Sequence, residues 1–557
     1  MSALAPNHNW NLPEPDSTDG SDLAKATGLP RLIATLLQRR GFASAEAVRR
    51  FLEPSAASLH RPDTLPDIDR AVERIMQTVS RQQRILVYGD YDVDGITGTA
   101  ILVSALRMIG ADAITYLPQR ETEGYGLSLK GLEYAQTQGC TLIVTTDCGI
   151  TDLESTAAAA TAGIEVVVTD HHEPRRNDDG SDELPTAVAI VNPKRSDSSY
   201  PFRELAGCGV AFKLAWRLLQ AAGRTRQDLA ELLDLAALGT IADMVPLLDE
   251  NRIIARLGLK SLQTGWRPGI RALTEKAGLR PANLSSRDVS FVLAPRINAA
   301  GRVGNADTAL RLLLTSDRTE ADQLASQLDE MNRSRQLLEE SIFEDAAAAV
   351  ESSRLFEQRV MVVAGEGWHE GVIGIVASKL VERFYRPCVL VSFKGETGKG
   401  SGRSITGFDL YSALKACSDC LLRFGGHRYA AGLQIHRQQV ARLAAELNAF
   451  AARLPETVFE PTLHVEAVAR LSELDATLLE ALAKLEPFGP DNPEPVFATL
   501  GLEVVGCPQA VGRDHLKFRV RDGDTVVPAI AWGRSSALNS LQIGRKNHLD
   551  ICYTIGE

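Results

Sequence analysis

The chain has 557 residues and contains no run of about 18 consecutive apolar residues, the length a helix needs to cross a bilayer. A helical membrane protein is therefore not expected. The opening stretch MSALAPNHNWNLPEPDSTDG lacks the basic start and apolar centre of a secretory signal. Cysteine is sparse and scattered, eight in all, which argues against a disulfide framework and fits a reducing cytoplasm. Positive charge is not in excess either: 60 basic against 71 acidic side chains give a net charge of −11. Phosphate binders usually present a basic face, so this sum lowers the expectation of a nucleic-acid partner. It does not remove it, because a site built from many carboxylates would supply several of those negatives and be neutralised by its cations. What remains is ordinary for a soluble globular chain, with 44% hydrophobic and 24% charged residues. At this length about three to four domains are expected.

A regular alternation begins near residue 83. Short β-branched runs lie at 85–88 (ILVY), 113–117 (AITYL), 142–146 (LIVTT), 165–169 (EVVVT) and 187–191 (AVAIV), and helix-like segments separate the first four. Strand–helix–strand repetition of this kind predicts an α/β fold with a parallel, doubly wound sheet. Near-continuous apolar strands fit burial on both faces. Residues 205–265 and 305–315 read as mostly helical, and 317–352 as one long helix started by Asp317 with Glu320 after it, its apolar stripe broken at Arg335. That helix reads as a connector. Strands flanking a helix at about 371–384 follow, and past residue 458 short alternating strands suggest a small β-domain.

In a doubly wound sheet, ligands collect beyond the carboxyl ends of the strands. Three strands here run into acid: GDYDVDG brings Asp90, Asp92 and Asp94, the next motif brings Asp147, and TDHHEP brings Asp170, His171 and His172. Parallel strands deliver all of these to one edge, where like charges repel unless cations balance them. Carboxylates with one or two imidazoles suit manganese, or magnesium if the imidazoles stay out of direct contact. With so many acids, a pair of ions about 3.5–4 Å apart is expected, clamping a phosphate ester and activating a water.

Taken singly, each piece has a plainer reading: a lone aspartate after a strand is commonly an N-cap, and DHH alone a polar turn. Joint occurrence at three strand ends favours the metal site. DYDVDG opens like a calcium loop but has Ile101 where a bidentate glutamate is required. GETGKGSG (395–402) has the wrong spacing for a phosphate loop, CSDC (417–420) has no second pair, and GEGWHEGVIG has no second histidine for a zinc protease helix.

GDYDVDG, TTDCG, TDHHEP and GTIADMVPL together resemble the DHH phosphoesterase superfamily. LPQRETEGYGL, VNPK, LAPRINAAGRVG, GWHEGVIGIVASKL, GSGRS and FGGHRYAAGL resemble its bacterial RecJ branch, over roughly residues 30 to 557. The resemblance implies an exonuclease that degrades single-stranded DNA from the 5′ end with manganese or magnesium, in recombination and repair. It implies Asp92, Asp94, Asp147, His171 and Asp243 as ligands, with Asp147 bridging two ions and Asp90 as an additional or supporting group. Asp170 would orient an imidazole, and His172 would face the scissile phosphate. Many members have a histidine where this chain has Tyr88, which leaves the first ion's coordination open.

For the strand itself, Arg120, Arg296 and Arg302 fall in matching loops, and guanidinium forks suit phosphate oxygens. GSGRS and FGGHRYAAG place Ser401, Arg403, Ser404 and His427 beside small residues that let amides approach a phosphate. Lys517, Phe518, Arg519 and Arg521 mix basic and aromatic side chains as strand-binding OB surfaces do. Loop arginines are often merely solvated, the glycines could be simple turns, and Phe518 could equally be core. The expected organisation is an N-terminal extension (1–70), a phosphoesterase core (71–316), the connecting helix (317–355), a mixed α/β substrate-binding domain (356–456) and an OB-like nucleic-acid-binding domain (457–557). A groove between core and second domain would admit one strand and exclude a duplex. Competing readings are a phosphodiesterase on short oligoribonucleotides or cyclic dinucleotides, and a non-catalytic replication scaffold. The resemblance also implies a monomer working with a single-strand binding protein and a RecQ-type helicase.

Overall fold

A computed structural model gives the structure of the chain and describes residues 9–14, 20–512, 514–537 and 548–556. Of the described residues, 56–461 form one compact unit, and 9–55 combine with those from 462 onward in another.

The first unit is built on a sheet of β1 (Arg84–Gly89), β2 (Ala113–Tyr116), β3 (Cys140–Thr146), β4 (Glu165–Thr169) and β5 (Ala189–Val191). All four pairings are parallel, in the order β2-β1-β3-β4-β5. The strands are apolar throughout because both faces are covered. Ile85, Val87, Leu142, Val144 and Val167 enter one core, and Leu86, Tyr88, Ile143, Val166 and Val168 the other. The first core is completed by α1 (Val93–Met108), α2 (Gly207–Ala221) and α3 (Leu233–Ala242), each buried over most of its length. Strand order reverses between β1 and its two neighbours β2 and β3, so the switch point where such folds bind ligands lies at the end of β1.

Helix α4 (Ala294–Val303) leads toward the long helix α5 (Arg318–Ser352). Asp317 caps α5 by accepting from the amides of Thr319 and Glu320. Glu320 does not reach back to complete a capping box; its carboxylate takes Thr315 Oγ1 and Arg311 instead. The helix serves two cores. Leu324 and Leu328 pack into the first, whereas Ile342, Ala346 and Val350 pack into that of the following sheet. Arg335, between these stretches, bonds Asn332 and Glu339. The following sheet contains β6 (Met361–Glu366), β7 (Cys388–Lys394), β8 (Thr397–Arg403), β9 (Arg423–Gly426) and β10 (Ala430–His436), in the order β9-β10-β8-β7-β6, with α6 (Ile373–Phe384) connecting β6 to β7. GETGKGSG is thus a turn and a strand, and Cys417 and Cys420 are buried free thiols.

In the second unit β11 (Phe497–Val511), β12 (His515–Asp522) and β13 (Thr525–Ala531) pair antiparallel, and Leu549–Tyr553 pairs with β11. Along β12 the two-residue period separates functions cleanly. Leu516, Phe518 and Val520 point into the core, while Lys517, Arg519 and Arg521 are exposed. Phe518 is 8% exposed, which corrects its assignment to a strand-binding surface: no base can stack on a ring packed under its own sheet. No helix among the described residues is long and apolar enough to cross a membrane.

Candidate active site

The sequence delivers its acids to one edge, and the backbone explains how each is aimed. Asp92 caps α1, its Oδ1 accepting from Asp94 and Gly95 amides at 3.0 and 3.1 Å. Asp94, one turn in, is gripped by the first turn of α2, where Gly207 N and Cys208 N donate to its two oxygens at 2.6 and 2.8 Å. A helix N-terminus holds a carboxylate well because its free amides and dipole both favour negative charge. Only glycine fits at 207, since a Cβ there would lie 2.6 Å from Asp147 Oδ1 and 2.8 Å from Asp94 Oδ2. Asp147 follows β3 with φ of 61°, a left-handed conformation uncommon for a residue with a side chain. The Asp147 amide donates to Thr169 O across to β4. Asp243 ends α3 rather than a strand, and its Oδ2 lies 3.9 Å from His171 Nε2.

The Asp170-His171-His172 triplet divides into three roles. Asp170 is fully buried and accepts from Ile150 N, His171 N, His172 N and His172 Nδ1. Burial alone would raise its pKa, but the facing imidazolium and these donors hold it at about 2. His172 responds in the opposite direction: burial lowers it, the Asp170 charge and bond outweigh that, and its pKa rises to about 9. It is therefore an imidazolium at neutral pH. His171 turns its Nδ1 to Leu205 O at 3.0 Å. Burial and the neighbouring His172 charge pull its pKa down to about 4, so the ring is neutral and Nε2 carries a lone pair. That lone pair faces Asp147 Oδ1 at 3.2 Å and Asp94 Oδ2 at 3.8 Å.

Acceptors facing acceptors need a cation between them, and the site meets that test. Asp90 Oδ1, Asp147 Oδ1 and Asp243 Oδ2 are buried oxygens with no hydrogen-bond donor among the described residues. Three ligand-type groups have donor atoms within 4.8 Å of one another: Asp90-Asp92-Asp147, Asp94-His171-Asp243, and Asp147-His171-His172. In the last, the His172 nitrogen near Asp147 is Nδ1, already committed to Asp170 at 2.8 Å. The remaining two groups meet through Asp147 and His171. Burial and mutual repulsion push Asp90 and Asp147 well above the carboxylate range and Asp94 to about 8, the strain that bound cations relieve.

Beside this cluster lies a groove of about 1260 Å³, walled by the core through Arg120, Tyr125 and His172 and by the second sheet through Ser401, Gly425 and His427. Arg120 lines this groove, and the guanidinium groups of Arg302 and Arg403 stand close enough to feel its charge. Arg302 is half-buried, and desolvation together with Arg120 and Arg403 lowers its pKa to about 10. Burial and Arg120 lower Arg403 likewise. Arg120 lies 5.2 Å from the Tyr91 ring. Arg403 donates to Ser401 Oγ at 3.2 Å. A Cβ on Gly374, in the first turn of α6, would meet both Ser401 and Arg403.

Two expectations from the matching loops need correction. Arg296 bonds Asp329 on α5 and the Val292 carbonyl, which makes it a brace between helices. Ser404 turns its hydroxyl to Phe408 O, away from the groove. Lys517 and Arg519 belong to the other unit and are exposed there. Tyr88 is not in any of the ligand groups; its hydroxyl donates to Gly126 O at 2.8 Å and its ring stacks on Tyr116. Sequence reasoning missed Tyr125, Gly207 and Leu205 O. The GYG within LPQRETEGYGL was the available signal for the first, since paired glycines leave a tyrosine free to approach a backbone.

Comparison with known proteins identifies the family and the fold. Family models match in three places: the DHH family N-terminal domain at 84–240, the DHHA1 domain at 357–453 and the RecJ OB domain at 465–557. The single-stranded-DNA-specific exonuclease RecJ of Salmonella typhimurium is 37% identical over 90% of this chain and 89% of its own length. The chain belongs to the RecJ family. Another RecJ-family relative, from Bacillus subtilis, is 38% identical over 98% of this chain and 68% of its own length. The crystal structure of RecJ with Mn²⁺ from Thermus thermophilus superposes with a TM-score of 0.80 at 33% identity, covering 96% of this chain and 75% of that one. RecJ from the same source has also been crystallised with Mg²⁺.

Proposed function

We propose that the chain is a metal-dependent exonuclease that hydrolyses single-stranded DNA from its 5′ end, in the service of recombination and repair. The observation that carries this reading is the juxtaposition of two unsatisfied charge clusters: buried carboxylate oxygens without donors, and three guanidinium groups that among the described residues have no ion-pair partner. The first needs cations and the second needs an anion. A phosphodiester with divalent ions supplies both.

In this reading Asp90, Asp92 and Asp147 would hold one Mn²⁺ or Mg²⁺, and Asp94, His171 and Asp243 a second. When bound, such a pair polarises a phosphoryl group and activates water at neutral pH. The protein does the rest. Leu205 O fixes the His171 tautomer so that Nε2 remains an acceptor, as a carbonyl behind a ligating imidazole commonly does. His172, charged and backed by Asp170, turns Nε2–H toward the groove, where it stabilises negative charge on the phosphoryl oxygens or protonates the leaving oxygen. Arg120, Arg302, Arg403, Ser401 and the N-terminus of α6 receive the terminal phosphate, and bidentate guanidinium forks suit that group. The glycine-lined face of β9 and β10 and His427 accommodate the strand beyond it. In the other unit, the exposed Lys517 and Arg519 suit the phosphates of a single strand. Every acid of the site is present, which counts against the scaffold reading, and the match to a RecJ OB domain at 465–557 favours long strands over dinucleotides.

The deciding experiment is a digestion time course on strands labelled at one end or the other, with Mn²⁺, Mg²⁺ or chelator. Mononucleotides from the 5′ label at the earliest times, and none with chelator, are expected. Early release from the 3′ label would reverse the polarity, and equal rates on blunt duplex would remove strand selectivity.

A further inference from the structure

The loop between β2 and the helix at Leu129–Thr137 is fixed far more firmly than a surface connection needs. Glu123 accepts from Gln119 N, Tyr116 Oη and Ser128 Oγ at 2.9, 2.9 and 2.6 Å. Asp152 Oδ2 accepts from Leu127 N at 2.6 Å. Buried Tyr88 bonds the same loop twice, donating to Gly126 O at 2.8 Å and accepting from Ser128 N at 3.1 Å. Gly126 sits at φ of 89° with the Asp152 carboxylate where a Cβ would be, so the loop closes tightly against these partners.

What the loop presents at its tip is Tyr125. Tyr125 is 45% exposed and lines the groove, while its hydroxyl turns inward, donating to the Asp147 carbonyl at 2.9 Å and lying 3.0 Å from His172 Nδ1. The two rings meet edge to face at 5.5 Å. His172 Nδ1 has a single hydrogen, directed to Asp170 Oδ1. The phenol hydrogen goes to Asp147, so the phenol oxygen presents a lone pair to the same N–H. A ring flip about the Cβ–Cγ bond would put a carbon where both acceptors wait, losing both contacts.

We propose that Tyr125 is a positioning residue that holds the His172 ring with Nε2 toward the groove, and that Tyr88 is the buried latch that keeps Tyr125 in place. The inference rests on the nuclease reading for its consequence, though not for its geometry. It gives the position where many superfamily members have histidine a role in this chain: the tyrosine steadies the loop above the site rather than entering the metal cluster. The loop also carries Arg120, so one latch sets the spacing between a phosphate-binding arginine and the imidazole.

Tyr125→Phe keeps the ring and deletes the contacts. It should lower kcat about 10- to 100-fold, the usual cost of removing a group that orients a site residue, while KM for single strands and Mn²⁺ affinity stay unchanged. In metal-free protein the nitrogen-15 NMR signal of His172 Nδ1–H should shift and exchange faster with water. Tyr88→Phe should move both readouts in the same sense by less. An unchanged kcat, a loss carried by KM, or an unmoved His172 signal in Tyr125→Phe overturns the proposal, and Tyr88→Phe moving neither readout overturns its latch. If the wild-type enzyme itself left single strands undigested, the function reading would fall, while the NMR comparison would still decide the positioning.

Discussion

Helix α2 touches two buried charge clusters that are completed in different ways. At its first turn Gly207 and Cys208 hold Asp94, beside Asp90, Asp147 and Asp243, and three oxygens of that set have no donor among the described residues. Further along, Lys213 is fully buried against Glu250, its ammonium also donating to His60 O at 2.8 Å. Glu250 in turn accepts from His60 N and Tyr200 Oη. This second cluster pairs one cation with one anion and engages the lone pairs around them. The first gathers acids and leaves lone pairs pointing at each other. A buried charge with its partners inside the fold is architecture, whereas one that lacks them must be completed from solution, and that contrast marks the site independently of any relative.

If the contrast is real, substitutions in the two clusters should fail differently. The largest effect is expected from Lys213→Met, which strands Glu250 in the interior at a cost of about 3–5 kcal/mol, read by chemical denaturation, with the nuclease rate of the folded protein preserved. A stable variant would put this pair in the same class as the site. Asp147→Ala should do the reverse, abolishing at least about 99% of nuclease activity, beyond the loss typical for supporting groups. Its thermal midpoint in chelator should not fall, since a repelling carboxylate is gone; a clear drop would sink the idea that this cluster is strained without ions. Mn²⁺ at about 100 times its dissociation constant should add about 2.7 kcal/mol of stability to wild type and to Lys213→Met, with most of that gain missing in Asp147→Ala. Calorimetry with and without the ion reads this directly. Asp170→Ala belongs to both classes, because it is saturated with donors and also backs a site imidazole. It should cost about 10- to 100-fold in rate and lower the thermal midpoint as well; a loss in only one of the two would assign Asp170 to one side.

The alternating core was legible because burial on both sheet faces writes continuous β-branched runs, and the acids after Gly89, Thr146 and Thr169 follow from parallel strands sharing an edge. Asp243 was not legible this way. It ends a helix, and only the family resemblance placed it with the others. Phe518 could have been read correctly, since Leu516, Phe518 and Val520 alternate strictly with Lys517, Arg519 and Arg521; weighing the aromatic type over its period gave the wrong face. Arg296 and Arg302 look alike in one helix, yet one bonds Asp329 directly, whereas the other donates to the Gly371 carbonyl and feels the charges of Arg120, Asp92 and Arg403 without an ion pair among the described residues.

By itself, then, the sequence determined the strands, their direction and the chemistry at their ends, because periodicity and strand order are local properties that residue type records. Tertiary structure alone decided which lone pairs go unanswered, which arginines have no ion pair among the described residues, and that Tyr88 and Tyr125 brace an imidazole 47 residues beyond the latter. Those are properties of neighbours brought together by folding, and no spacing along the chain encodes them.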